Sequence, residues 1–349
     1  MNNAIVFPRV PAEWDKRVDT ILLAFPDKHT DWSYMLDEVQ QCFIRIISVL
    51  TEDSGMDVWL VGNKQTIEKS LLTEGNISKE KLRIIDIPYN DTWARDFGPI
   101  TYELEEGIFR YIDFKFNGWG LKFPSDMDNQ ICRNLVKSPH CKSIRLINRQ
   151  NFVLEGGSIE SDGKGTILTT SKCLLSPNRN AEYSKEQIEH YLKESLKADR
   201  VLWLDHGYLE GDDTDSHIDT LARLVSSDTI AYVKCYDSAD THFSELEAME
   251  IELKEMRTAE GKPYNLIPLP LPNAVYDVSG NRLPATYANF LITPRTVLVP
   301  VYNQQDNDTR ALYTLEKVFP EHKVIGIDCN SLIKQHGSLH CVTMQMITK

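Results

Sequence analysis

The sequence is poor in the features that mark membrane, fibrous or nucleic-acid-binding proteins. No apolar run reaches the roughly 18 residues a membrane-crossing helix requires. Glycine (17) and proline (16) are too scarce among 349 residues for a collagen-like or disordered composition. No Gly/Ser/Pro-rich linker or charge block divides the chain either. Positive charge is in the minority: 38 Lys and Arg against 51 Asp and Glu leave a net −13, a field that repels phosphate backbones and attracts cations. Nucleic acid and membranes are therefore poor partners, and a small cationic substrate is a good one. The seven cysteines, at 42, 132, 141, 173, 235, 329 and 341, are odd in number and form no C-x-x-C pair. The opening MNNAIVFPRVPAEWDK shows no basic segment followed by an apolar run and a cleavage site. A reduced, cytoplasmic setting is the expectation. No P-loop or dinucleotide fingerprint occurs, so no organic cofactor is implied. Oligomeric state stays open, a homo-oligomer included.

What is present is an α/β pattern. Runs rich in Ile, Val, Leu and aromatics predict strands at 20–25, 56–61, 82–87, 108–116, 201–204, 229–233 and 296–302. Residues 157–161 and 166–170 flank Asp162-Gly163-Lys164-Gly165 and read as a hairpin. Leu36, Val39, Phe43, Ile46 and Leu50 share one helical face. A second helix starts at Ser184, whose Gln187 completes a capping box; a third carries Phe243, Leu246, Met249 and Leu253, and a fourth runs from about Asp308 to Phe319. Several strands per helix do not fit a doubly wound parallel sheet, in which the two alternate one for one. One domain of successive similar units, spanning residues 1–349, fits better.

Four clusters follow predicted strands, where loops tend to carry function. Residues 90–99 (NDTWARDFGP) mix polar, aromatic and charged side chains without helical period. They read either as a capped turn with a surface ion pair or as a cradle for a flat cation, an aromatic face beside a carboxylate. In 151–158 (NFVLEGGS), Glu155 ends an apolar run; it either pairs with a cation or turns to water at a glycine bulge. Residues 210–220 (EGDDTDSHIDT) crowd five carboxylates around His217, which calls for a cation, a Mg or Mn site, or a plain solvated loop. An EF-hand is excluded because Ile218 falls where glycine is needed. Residues 334–345 (KQHGSLHCVTMQ) put Cys341 behind a glycine-bearing loop, open to nucleophilic work; a zinc site on His336, His340 and Cys341 lacks a fourth ligand.

Together, NDTWARDFGP (90–99), NFVLEGGSI (151–159), DTDSHID (213–219) and LHCVT (339–343) resemble the agmatine deiminases, within the bacterial family that includes Porphyromonas-type peptidylarginine deiminases. AEWDK (12–16) and YANFLI (287–292) fit as well, so the likeness spans nearly the whole chain. It implies a pentein fold, a five-bladed α/β propeller of ββαβ-type units with pseudo-fivefold symmetry. It also implies a nucleophile at Cys341, a general acid/base at His217 with Glu155 working beside it, guanidinium-holding carboxylates at Asp96 and Asp219, and Trp93 flanking the substrate.

The chemistry is coherent, because a delocalised guanidinium resists attack until carboxylates fix its N–H groups. The implied reaction converts agmatine to N-carbamoylputrescine and ammonia through a cysteine amidino-thioether, with no metal. Asp213 and Asp215, with Asp212, are candidates for the distal ammonium of agmatine. Peptidyl-arginine is the alternative substrate, and a metal-dependent hydrolase on loop 210–219 the alternative chemistry. Three departures from the family pattern stand out: His336-Gly337-Ser338 replaces a glycine run, Ser216 a common glycine, and Glu160 a common histidine.

Overall fold

The computed structural model describes residues 8–71, 76–141 and 145–349. Its organising element is a strand pair running antiparallel, followed by a parallel strand reached through a helical crossover. β1 (Thr20–Ala24), β2 (Asp57–Val61) and β3 (Leu82–Ile85) are parallel neighbours. β4 (Ile100–Glu105) is antiparallel to β5 (Ile108–Lys115), which is parallel to β6 (Leu146–Val153). The same order recurs in β7 (Ile159–Ser161), β8 (Thr166–Thr170) and β9 (Arg200–Leu204). It recurs again in β10 (Ala222–Ser226), β11 (Thr229–Lys234) and β12 (Asn265–Pro270). After a small hairpin of β13 (Val275–Tyr276) and β14 (Arg282–Leu283), it returns in β15 (Leu291–Ile292), β16 (Thr296–Val301) and β17 (Lys323–Asp328). β18 (Met344–Met346) pairs antiparallel with β1, giving the first sheet the same start. Strand–strand–helix–strand thus occurs five times among the described residues.

The composition of each piece explains its place. β1 is TILLA with every residue buried, as a strand covered on both faces must be. The Leu36–Ser48 helix crosses from β1 to β2 and buries Val39, Phe43, Ile46 and Ile47. The Lys185–Leu196 helix joins β8 to β9 and opens on the complete Ser184/Gln187 capping box, worth about 1 kcal/mol. Phe243–Glu255 joins β11 to β12, and Gln305–Val318 joins β16 to β17. The fourth helix begins at Gln305 rather than near Asp308, because the Asp308 carboxylate accepts the backbone N–H groups of Tyr302 and Gln304 and so caps the turn from inside.

The strands that pattern reading passes over are the edges. β12 holds Pro268 and Pro270, tolerable only where one side of the strand makes no ladder, and β6 is interrupted by Asn148, Arg149 and Gln150. One large apolar cluster unites the sheets; a second sits under β10, β11 and the 243–255 helix. All seven cysteines are buried and unbridged. No helix among the described residues is long and apolar enough to cross a membrane.

Candidate active site

The chemistry-bearing residues occupy equivalent places in the repeated units. Asp96 lies ahead of β4, Glu155 ahead of β7, His217 and Asp219 ahead of β10, Asn289 ahead of β15 and Cys341 ahead of β18, each two to five residues before the strand. Glycines let these segments touch. A Cβ on Gly156 would stand 2.1 Å from the Arg95 carbonyl, and one on Gly157 would stand 2.7 Å from His217 Nδ1 and 2.8 Å from Asp96 Oδ1. A cavity of about 140 Å³ opens here, walled by Trp93, Trp119 and Phe123, with Asp96, Asp213 and Cys341 on its surface.

Glu155, His217 and Asp219 are buried beneath it. Cys341 Sγ is 4.0 Å from Asp219 Oδ2 and 3.4 Å from Asn289 Oδ1. His217 Nδ1 is 3.5 Å from Asp96 Oδ1, and neither ring nitrogen has a hydrogen-bond partner among the described residues. Asp219 Oδ1 is likewise buried and unpartnered. Unpaired polar atoms this deep are costly, about 1–3 kcal/mol each, unless a ligand satisfies them.

The electrostatics follow from burial and neighbours. Burial pushes Asp96 up to about 6, even though the His217 charge pulls it down. Burial alone would lower His217, but Asp96, then Cys173 and Glu155, outweigh it and raise the imidazole to about 10. The resting histidine is therefore a proton donor. Burial, Asp219 and Asp96 together lift the Cys341 thiol well above its ordinary range. Asp219 stays below the usual carboxylate range despite its burial, held there by the His340 N–H and by nearby positive charge. At neutral pH these shifts leave the sulfur protonated, the imidazole charged and Asp96 and Asp219 largely anionic. A bound cation would tilt the sulfur toward thiolate.

Geometry of this kind has relatives. A family model described as Porphyromonas-type peptidyl-arginine deiminase matches residues 9–346. The chain belongs to that family. It is 33% identical, over 96% of either chain, to a Vibrio parahaemolyticus protein named "Putative agmatine deiminase". A solved structure titled "Putative Arginine Deiminase from Porphyromonas gingivalis" is 47% identical with a TM-score of 0.88, covering 97% of this chain and 98% of that one. The C. jejuni agmatine deiminase, solved as a cysteine-to-serine variant with substrate bound, is 36% identical with a TM-score of 0.88, covering 98% and 96%.

In this deiminase-family chain Glu155 does not turn to water at a bulge. It is 0% exposed, and both carboxylate oxygens accept from Arg179 Nε at 3.0 and 3.1 Å. Arg179, in the PNRN segment, also donates to Asp215 Oδ2 at 2.6 Å and to the Thr214 carbonyl. Asp215 is further bound by Lys122 Nζ at 2.8 Å. The structure therefore turns Asp215 away from the cavity while leaving Asp213 on it. Left-handed φ values of 64° at Asp215 and 67° at Ser216 make that turn. Ser216 accordingly adopts the conformation a glycine would supply there. Asp212 is spent internally, accepting from the backbone N–H groups of Thr214 and Ser216. Trp93 lies on the cavity wall; its Nε1 donates to Asp91 at 3.2 Å and its ring packs over Gly337.

Four contributors escaped the sequence reading of the site. Asn289 Oδ1 accepts from the backbone N–H groups of His340 and Cys341 at 2.8 and 3.3 Å, fixing the loop that carries Cys341. Trp119 Nε1 donates to Asp96 Oδ2 at 2.9 Å, from a run in which Gly118, Trp119, Gly120 and Leu121 all have positive φ. Arg179 and His340 complete the set. The signals available were the YANFLI segment around Asn289, the LHCVT segment around His340, the glycines flanking Trp119 and the need of a buried Glu155 for a cation. His336, at φ 66°, takes the left-handed conformation a glycine would supply in the loop before Cys341 and ties that loop down through a 2.7 Å contact with the Gly211 carbonyl.

Among the described residues, two donor sets are close enough for a metal: Glu155, Cys173 and His217, and Glu13, Glu160 and His340. An arginine already holds the carboxylates in each, Arg179 in the first and Arg223 in the second, so the donor chemistry does not fit a resident cation.

Proposed function

We propose that this chain is a guanidine-hydrolysing enzyme that converts agmatine to N-carbamoylputrescine and ammonia through a covalent intermediate on Cys341. One observation carries the reading: Cys341 and Asp96 line one cavity, and behind them the buried Asp219 sets its Oδ2 4.0 Å from the sulfur and leaves its Oδ1 without a partner among the described residues. Asp96 and Asp219 grip the planar cation, Trp93 flanks it, and its central carbon faces the sulfur. As the cation binds, the Cys341 thiol releases its proton to solvent; the thiolate adds to that carbon, and the charged His217 passes its own proton to the departing ammonia. Now neutral, His217 takes a proton from water, which displaces the sulfur and leaves a ureido product and the free thiol. Glu155, anchored by Arg179, shares the His217 pocket and supports its charge. The five repeated units are read as the five blades of a pentein propeller, forming one catalytic domain over residues 1–349.

Agmatine is favoured because the cavity wall carries Asp31 and Asp213, with Asp91 raised to about 7 by burial, and among the described residues neither lysine nor arginine, so both ends of a dication find carboxylates. Asp213 is the candidate partner for the distal ammonium. Asp215 is a weaker one, since Lys122 and Arg179 already engage it. A second reading, action on arginine or peptidyl-arginine, is favoured by the 47% identity to the Porphyromonas gingivalis protein.

The test is ammonia release from agmatine, arginine and an arginine-terminated peptide, with mass spectrometry of the Cys341 peptide during turnover. Agmatine should be the best substrate and leave an amidino mass on Cys341. Turnover of the peptide alone would replace the first reading with the second, and full activity of Cys341→Ala would end both.

A further inference from the structure

Beside the nucleophile lies a buried chain of charges of which the proposed reaction uses only Asp219 directly. His340 Nδ1 is 2.7 Å from Asp219 Oδ2, and its Nε2 is 2.7 Å from Glu13 Oε2. Ionised carboxylate oxygens only accept, so a ring bridging two of them must donate from both nitrogens and carry a positive charge. Glu13 is further fixed by Arg223 Nη2 at 2.8 Å and by the Ile292 N–H at 2.7 Å. Arg223 reaches on to Glu160 and to the carbonyls of Ala288 and Phe290. With Arg95 Nη2 at 3.8 Å from Glu13, three cations (Arg95, Arg223, His340) face three anions (Glu13, Glu160, Asp219), and the group balances.

We propose that His340 is a positioning residue: as the middle of a buried Glu13–His340–Asp219 chain, it pins Asp219 Oδ2, the oxygen 4.0 Å from Cys341 Sγ, and so orients the carboxylate with Oδ1 left free for the guanidinium. The inference rests on the functional reading above and extends it. Asp219 Oδ1 is the oxygen left without a partner, and Oδ2 is the one His340 holds. The imidazolium also offsets a carboxylate that, 4.0 Å from the sulfur, would otherwise oppose the thiolate. The AEWDK segment thereby acquires a task, because Glu13 anchors the far end of the chain from more than 300 residues away in sequence.

The experiment compares His340→Asn and His340→Gln in the Cys341→Ser background, with agmatine binding followed by calorimetry. Asparagine places its amide near the Nδ1 position and keeps a donor to Asp219; glutamine reaches the Nε2 position and loses it. The Asn variant should bind within about threefold of its parent, and the Gln variant should bind roughly tenfold or more weakly. Equal losses in both, tracking their melting temperatures, would make the residue merely structural and overturn the proposal.

A measurement on the otherwise unaltered Cys341→Ser chain covers the case where the Gln variant does not fold. Nitrogen-15 spectra of its histidines should show one imidazole with two strongly hydrogen-bonded N–H protons, and agmatine should shift the Nδ1 proton. A single N–H on that ring would overturn the proposal. Failure of the parent to bind agmatine at all would instead strike the functional reading, while the free-state spectrum would still decide whether the doubly donating bridge exists.

Discussion

Replacing Gly157 with alanine should disable the site while sparing the fold. The added Cβ would lie 2.7 Å from His217 Nδ1, 2.8 Å from Asp96 Oδ1 and 3.1 Å from Asp219 Oδ2. Comfortable carbon contacts begin near 3.5 Å, so the three side chains would have to retreat by about 0.5–1 Å. A misplacement of about 1 Å costs on the order of 100-fold in rate, or about 2.7 kcal/mol of transition-state stabilisation. Gly157 is not among the glycines with left-handed φ, so alanine meets no backbone objection. The loss of fold stability should stay within the 1–3 kcal/mol typical of overpacking. Ureido product formed from agmatine, measured across substrate concentrations alongside a melting curve, reads both effects. A kcat/KM within threefold of the parent, in a folded Gly157→Ala protein, would refute the claim that these three groups must converge on this spot. Gly326→Ala is the control: its Cβ meets only aliphatic methyl groups, Val301 Cγ1 at 3.1 Å, Val301 Cγ2 at 3.6 Å and Leu312 Cδ1 at 3.7 Å, and should leave turnover near the parent value.

Arg179→Met should destabilise the fold by about 3–5 kcal/mol, because it leaves Glu155 buried without its cation; thermal or denaturant melting checks this. Trp119→Phe keeps the ring and removes the N–H that holds Asp96, so kcat/KM should drop roughly 10- to 100-fold, with KM carrying much of the change. Activity should fall below pH about 6 as Asp96 takes up a proton, and again as pH rises through about 10 and His217 loses the one it donates. A profile centred on a thiol titrating near 8 would contradict this. His217 has a raised folded pKa, so its charge contributes stability that is complete below about pH 6.5 and lost as pH rises through about 10. His217→Asn should flatten that part of the alkaline melting curve.

Motifs that combine unlike chemistry in a few residues were legible in the sequence, and the structure brings Asp96, Glu155, His217, Asp219 and Cys341 into one neighbourhood. The open choice at Glu155 resolves for a physical reason: a carboxylate this deep must have a cation, and no local pattern could say that Arg179 would be the one. Asp213 and Asp215 look interchangeable as letters; two left-handed residues, Asp215 and Ser216, decide which one meets the cavity. Trp119 depends on an unusual run of positive φ, a feature of backbone rather than composition. Asn289 sits where a strand is about to begin and reads as its flank. Its role shows only once the units are superposed in register, since it occupies the slot that other units fill with Asp96, Glu155, Asp219 or Cys341. The main helices and buried strands were equally plain, whereas edge strands with prolines or polar breaks were not.

The pairing of β18 with β1 joins the last strand of the chain to the first sheet, and Cys341 stands three residues ahead of that strand. The sulfur proposed to react is therefore delivered by the same latch that completes the first sheet. Fraying of a few terminal ladder bonds would extinguish turnover while leaving the other sheets paired, so catalytic output is a more sensitive gauge of this seam than any spectrum of the whole molecule.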